Sequence, residues 1–178
     1  MTFRPIRHRL VPSLLFVIAL VAFVGCDTSD PVPSVEPVEV EGIYDFIALR
    51  FDPDRSIIVP VNVLDSLIAD QTSLQLADNG EFQLTYRFEG ETFSDNVRGT
   101  FEASRDAVTL EARAADADRF ASLLLPRQVT FDRESDSLLV LDEQRTVDLA
   151  DYDPEYDGIE PQPGRLTVRL QLREPTRD

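Results

Sequence analysis

The sequence predicts an all-β domain, an eight-stranded antiparallel up-and-down barrel with one or two short helical turns. Apolar and polar residues alternate along several short stretches, a pattern typical of strands with one wet face. Most connections between these stretches are short and rich in Gly, Asp, Asn and Ser, which favours hairpins. An open sheet of eight such strands would leave its apolar face uncovered. Closing the sheet buries that face and removes both edges, although a sandwich of two sheets is an alternative.

The positions of the strands follow from this alternation. Phe82, Leu84, Tyr86 and Phe88 alternate with polar residues, and the sequence Asp-Asn-Gly at 78–80 predicts a type I′ hairpin turn before them. Similar stretches follow after further short turns. The eight predicted strands span residues 43–51, 72–77, 81–88, 95–103, 107–113, 127–132, 137–142 and 165–173.

Three connections are predicted to be longer than a hairpin turn. Residues 52–70 form an excursion after the first strand, in which Pro60 permits at most an edge strand and the last residues suit one or two helical turns. Residues 114–125 are rich in helix-forming residues and end before a proline, which predicts a short helix. Residues 147–163 are expected to form an acidic, proline-containing loop.

The N-terminal residues have the parts of a bacterial export signal. Three arginines precede an uncharged apolar stretch at 14–24, which is shorter than the roughly 20 residues that a spanning helix needs. Residues 23–26, Phe-Val-Gly-Cys, then place small residues before Cys26, the only cysteine of the chain. This segment resembles a bacterial lipoprotein signal peptide with its lipobox. An ordinary signal peptide, or a signal anchor, with an incidental cysteine is the alternative.

The resemblance to lipoproteins implies a domain order. Residues 1–25 would be removed as the lipoprotein signal peptide, and the thiol of Cys26 would be acylated and hold the protein at a lipid bilayer. Residues 26–40 contain several prolines and are predicted to form an extended tether. Residues 41–178 would then form the barrel domain.

The charge of the chain excludes one class of partner. After loss of residues 1–25, 14 arginines would stand against 33 acidic residues, a net charge of −19, and the sequence contains no lysine. Phosphate groups would be repelled by such a surface, so no nucleic-acid partner is expected. The acidic residues are spread along the whole chain, as on a solvated surface that keeps a protein soluble.

The order of the predicted strands resembles that of a known family. Gly42-Ile43-Tyr44 opens the first strand, a long excursion follows, and a meander with a lone terminal strand completes the barrel. This architecture is similar to the lipocalin-like barrels of bacterial envelope lipoproteins, with Gly42-x-Tyr44 where the lipocalin signature has Gly-x-Trp. The resemblance covers residues 41–174 and implies a cup that holds an apolar molecule.

Aromatic side chains that alternate into the predicted barrel are the candidate ligand-binding residues. They are Tyr44, Phe82, Tyr86, Phe88 and Phe101. Packing of the core is the alternative interpretation, because an eight-stranded barrel is either filled by its own side chains or holds one small ligand.

The residue types of the predicted mature chain restrict its chemistry. His8 is the only histidine and lies in the predicted signal peptide, lysine is absent, and no glycine-rich phosphate loop is present. Histidine-based triads and Schiff-base chemistry are therefore excluded, and neither catalytic residues nor a cofactor are predicted. Paired carboxylates, as in glycosidases, are the remaining route to an enzyme.

The acidic loop is the one weak candidate for a metal site. Asp151, Asp153, Glu155 and Asp157 alternate before Gly158 and offer the oxygen ligands that Ca²⁺ prefers. Their spacing does not fit an EF-hand loop, and a solvated loop without metal is the favoured interpretation.

Together these observations predict a non-catalytic lipoprotein of the cell envelope. We expect it on the periplasmic side of an outer membrane or on the cell surface, with a small hydrophobic molecule bound in its barrel. The alternative is a protein–protein interaction or structural module of the envelope with a protein partner. A filled barrel with an apolar surface patch would favour the second function, and an open, lined cavity the first.

Overall fold

The computed structural model describes residues 37–55 and 58–174, and in this part of the chain nine strands form one antiparallel sheet. One short α-helix, α1 (Ala117–Ala121), and several 3₁₀ turns accompany the sheet. The strands are β1 (Gly42–Pro53), β2 (Val61–Asn62), β3 (Ser73–Leu76), β4 (Glu81–Tyr86), β5 (Asp95–Ala103), β6 (Ala107–Ala112), β7 (Gln128–Ser135), β8 (Leu138–Val147) and β9 (Gln162–Leu172).

Eight of these strands close into a ring. From β3 to β9 each strand pairs with the next, and β1 pairs with both β3 and β9. The two-residue strand β2 pairs only with Arg50 and Phe51 of β1 and stands outside the ring. The prediction of a closed, eight-stranded antiparallel up-and-down barrel with short helical turns is confirmed, and the sandwich alternative is excluded.

The bounds of most strands differ from the prediction, and those of β1, β8 and β9 show why. Strand β1 continues to Pro53, which pairs with Gly164 of β9. Strand β8 runs five residues past the predicted end at 142, and β9 starts three residues before 165, because the two strands pair without interruption to Val147 and Gln162. The added residues of β8 are mostly polar, so the pairing with a neighbouring strand overrides their own weak strand propensity.

The hairpin turn at 78–80 is tight but is not of type I′. Gly80 has a φ of 79°, whereas Asn79 is not among the residues with positive φ, and type I′ needs positive φ at both central positions. The Gly80 N–H donates to the carbonyl oxygen of Ala77 at 3.1 Å. Glycine thus supplies the left-handed residue of a three-residue loop.

A short turn that precedes the predicted domain boundary at residue 41 packs against the barrel. Residues Pro37–Val40 form a 3₁₀ turn, and Val40 is 2 % exposed within the core. The Tyr44 hydroxyl donates to the carbonyl oxygen of Val40 at 3.1 Å, which holds this turn against the barrel. Cys26, the signal peptide and most of the predicted tether lie outside the described residues, so those assignments stay predictions.

The two ends of the barrel are different. The turns β3–β4, β5–β6 and β7–β8 are short and lie at the end where β1 begins. The long connections 54–72, 87–94, 113–127 and 148–161 lie at the opposite end. Among the helices that the structure describes, none is long and apolar enough to cross a membrane.

Candidate functional site

The interior of the barrel is occupied by its own side chains. Every strand of the ring contributes buried apolar residues, and these form one continuous core. Leu166, Val168 and Leu170 of β9 are each 0 % exposed. Other strands of the ring supply Leu49, Phe51, Leu74, Leu84, Val97, Leu110, Phe131 and Leu141.

Two glycines in the strands make room for aromatic rings inside the barrel. A Cβ atom on Gly99 of β5 would lie 2.4 Å from the ring of Phe82 and 2.1 Å from the carbonyl oxygen of Glu111. A Cβ atom on Gly164 of β9 would lie 2.6 Å from the ring of Phe51. The rings therefore take the space that side chains at these positions would need. A glycine inside an alternating strand is the sequence signal of such a close approach.

A helical segment closes the long-loop end of the barrel. Residues 114–125, here called the plug, comprise a 3₁₀ turn, α1 and the turn after it. Phe120 and Leu123 are each 0 % exposed, and the ring of Phe120 lies 6.2 Å from that of Phe82. The Tyr86 hydroxyl donates to the carbonyl oxygen of Arg119 at 2.8 Å and lies 2.9 Å from the Ser122 hydroxyl.

The five predicted ligand-binding side chains are all packed against protein. Tyr44, Phe82, Tyr86 and Phe101 are buried, and Phe88 is half-buried against the core. Phe82 and Tyr86 contact the plug, and Phe88 packs edge-on against Tyr86 with ring centroids 5.6 Å apart. Tyr44 is instead held by the N-terminal turn. These contacts are those of a packed core, and a role of these residues toward a ligand stays a prediction.

The acidic loop uses part of its charge to hold its own backbone. Asp148 accepts a hydrogen bond from the Ala150 N–H at 3.1 Å, and Asp153 accepts one from the Glu155 N–H at 2.9 Å. Each carboxylate thereby caps a 3₁₀ turn. Tyr152 fixes the loop to the excursion after β1, because its hydroxyl lies 2.7 Å from that of Ser66.

The candidate Ca²⁺ ligands Asp151, Asp153, Glu155 and Asp157 lie in and around these turns. Across residues 37–55 and 58–174, no group of three or more His, Cys, Asp or Glu side chains is placed to hold a metal ion. The fold of the loop therefore does not gather these four carboxylates around one point.

The contact between the plug and Tyr86 is expected to make the barrel less stable at alkaline pH. Burial raises the pKa of Tyr86 from 10.0 to about 12, so the folded state keeps this proton after the unfolded state has lost it. The stabilisation is complete below pH 10 and is lost as the pH rises toward 12. Tyr86→Phe removes the hydroxyl and is expected to cost about 1 kcal/mol at pH 9. The difference in free energy of unfolding between the two proteins should narrow above pH 10.

Urea denaturation followed by circular dichroism at pH 9, 10 and 11 measures this difference. Tyr152→Phe serves as the control, because the Tyr152 hydroxyl also has a hydrogen-bond partner, the Ser66 hydroxyl at 2.7 Å, but lies outside the plug. A gap between wild type and Tyr86→Phe that stays constant over the pH range would contradict the burial of this hydroxyl beneath the plug.

A cavity lined by described residues lies on the side of the barrel. It has a volume of about 320 Å³ and lies between β1 and the excursion that follows it. We call it the β1 pocket, defined by Asp45, Phe46, Leu64, Leu67, Asp70 and Arg173. Two smaller cavities, of about 230 and 150 Å³, lie on the outer face of β3–β5 and between the plug and β8.

Comparison of the sequence with protein-family models gave no match, and comparison with curated proteins gave none either. The function is therefore inferred from the residues and the geometry described above.

Proposed function

We propose that this chain is a lipid-anchored, non-catalytic protein of the cell envelope that acts through its outer surface as a protein-interaction module. The filled interior of the barrel is the observation that supports this function best. All eight strands of the ring bury apolar side chains in one core, and the plug covers the long-loop end. A carrier of small molecules needs an open cavity lined by its own residues.

The anchor and the location rest on the sequence. Residues 1–25 have the form of a lipoprotein signal peptide, and Cys26 directly follows it. Acyl chains on this cysteine would hold the barrel at the periplasmic side of an outer membrane or at the cell surface. The absence of lysine, and of histidine after residue 8, supports a role without catalysis.

The second candidate function is the binding of a small hydrophobic molecule inside the barrel, which the resemblance to lipocalins implies. In this structure such a ligand would need the plug to move and the rings of Phe51 and Phe82 to leave the interior. The two candidate functions make opposite predictions about whether the purified protein contains a bound small molecule.

Native mass spectrometry of a chain that begins at Thr28, purified without detergent, tests the two functions. We expect the bare protein mass and no uptake of added palmitic acid, because buried side chains from all eight strands of the ring occupy the interior. Organic extraction of the same sample, followed by lipid analysis, provides an independent readout. The same measurements on a known fatty-acid carrier show that a bound lipid survives the procedure.

A bound mass that survives purification and disappears on denaturation would overturn the interaction module in favour of the carrier. The Phe120→Ala variant then locates the ligand. A ligand inside the barrel should change in affinity when the plug is weakened, whereas one on the outer surface should not.

A further inference from the structure

The β1 pocket exists because β1 loses a neighbouring strand for part of its length. On one side β1 pairs with β3 only from Gly42 to Asp45, and with β2 only at Arg50 and Phe51. Between these points the 3₁₀ turns Val63–Ser66 and Ala69–Gln71 of the excursion lie beside β1 instead. Short turns cover a strand less completely than another strand does, and a cavity of about 320 Å³ is left.

The floor of this pocket is apolar. Phe46 and Leu64 are only half-buried although they pack against the core, and Leu67 is 6 % exposed. The pairing with β9 shifts register at Ile47, and such a bulge turns a side chain out of the regular pattern. Ile47 is 55 % exposed and Ile43 is 39 % exposed. These two side chains flank the pocket residues Asp45 and Phe46 along the chain and add exposed apolar surface beside the cavity.

The charge at the rim of the pocket favours a cationic partner. The guanidinium of Arg173 is already bound to the carboxylate of Asp45 through two hydrogen bonds, so these two charges compensate each other. Asp70 also lines the pocket, and in the described part of the chain it forms no ion pair. Its negative charge is reinforced by the net charge of −16 of the whole chain.

We propose that the β1 pocket receives an apolar side chain from a basic segment of a partner protein, with Asp70 pairing to an adjacent Lys or Arg of that segment. The proposal rests on the proposed function as an interaction module and assigns its contact surface. A small molecule confined to the cavity would leave Ile43 and Ile47 in water, whereas a polypeptide segment along β1 covers both. The exposed isoleucines beside the cavity and the carboxylate of Asp70 at its rim suit a polypeptide that carries both apolar and cationic side chains.

Photo-crosslinking with short peptides tests this surface on the full chain, purified in a mild non-ionic detergent. The probe is acetyl-Lys-photoleucine-Lys-amide, and acetyl-Glu-photoleucine-Glu-amide is the matched acidic probe. We expect the basic probe to label Phe46, Ile47 and residues 64–72, as located by peptide mass spectrometry. Labelling by the acidic probe should be weaker by about threefold, the range of an exposed ion pair.

Two pairs of variants separate a specific pocket from general attraction to an acidic protein. Asp70→Asn should lower labelling by the basic probe about threefold, whereas Glu102→Gln, which alters an exposed carboxylate on β5, should not change it. Ile47→Ser should also lower labelling. Phe93→Ser, which alters a side chain 83 % exposed in the β4–β5 connection, should leave it unchanged.

Equal labelling by both peptide probes, or equal losses in Asp70→Asn and Glu102→Gln, would overturn the proposal. Labelling at another exposed surface would overturn the β1 pocket but leave an interaction module intact. A bound lipid detected by native mass spectrometry would instead overturn the proposed function without changing which residues are crosslinked. The two failures are therefore distinguishable.

Discussion

Replacing Gly99 with alanine is expected to destabilise the barrel by about 3 kcal/mol or more, since overpacking of a filled core typically costs about 1–3 kcal/mol and here the backbone is also involved. The new Cβ atom would lie 2.1 Å from the carbonyl oxygen of Glu111 on the paired strand β6 and 2.4 Å from the ring of Phe82. The ring can turn away only into other buried side chains, and the carbonyl can move only by separating β5 from β6. Thermal and urea denaturation followed by far-ultraviolet circular dichroism measure the loss.

Gly90→Ala is the matched control for this substitution. Gly90 has a φ of 85°, and a Cβ atom added there would have no heavy atom within 4 Å. Alanine at this position therefore meets only the backbone strain of a left-handed residue, about 1–2 kcal/mol. If Gly99→Ala cost no more than Gly90→Ala, the space above Gly99 would be free and the description of a filled interior would be wrong.

Phe120→Ala is expected to destabilise the protein by about 3–5 kcal/mol, the cost of removing a large aromatic side chain from a core. Phe120 is 0 % exposed and joins the plug to the barrel through its contact with Phe82. The substitution leaves a cavity at the closed end, lined by apolar groups. We therefore also expect the variant to bind a small apolar probe such as benzene, as apolar cavities do, and the wild-type protein not to bind it.

Phe93→Ala is the control with the same change of side chain. Phe93 is 83 % exposed, and a substitution of this kind on the surface is expected to change the free energy of unfolding by less than about 0.5 kcal/mol. Denaturation curves and benzene titrations of both variants give the comparison. Similar stabilities for the two variants would show that the plug is not part of the cooperative unit.

The closed barrel could be predicted because its signal is local. The alternation of apolar and polar residues indicates each strand with one buried face, and the composition of the short connections indicates the hairpin turns. The ends of β8 and β9 could not be predicted in this way. Residues 142–146 are mostly polar and become a strand only because β9 lies beside them along the whole length.

The state of the interior could not be predicted because it depends on which residues face each other across strands. Gly99 of β5 pairs with Phe82 of β4. Gly164 lies on β9, which pairs with β1, the strand that contains Phe51. In each case a glycine, which has no side chain, lies next to a large aromatic ring. The sequence shows both glycines and both rings but not their register. For the same reason aromatic residues that alternate into the barrel could not be assigned to a ligand or to the core.

The β1 pocket could not be predicted from the sequence for a related reason. Its apolar residues come from β1 and from the excursion that follows it, and these lie side by side only after the chain has folded back on itself. The one signal in the sequence was the composition of β1. Residues 43–51 are apolar at nearly every position and do not alternate with polar residues. Such a strand needs cover on both faces, and the excursion provides only part of that cover.

The pairing of the first strand with the last decides when the chain can fold. Tyr44 pairs with Leu172 and Pro53 with Gly164, so the ring cannot close until nearly the whole polypeptide is present. Before that moment β1 and β8 expose unpaired edges, which are prone to pair with other chains. Contacts of such long sequence separation form slowly. A chain of this topology cannot close its ring while it is still being synthesised, and it acquires its fixed shape only after β9 has been added.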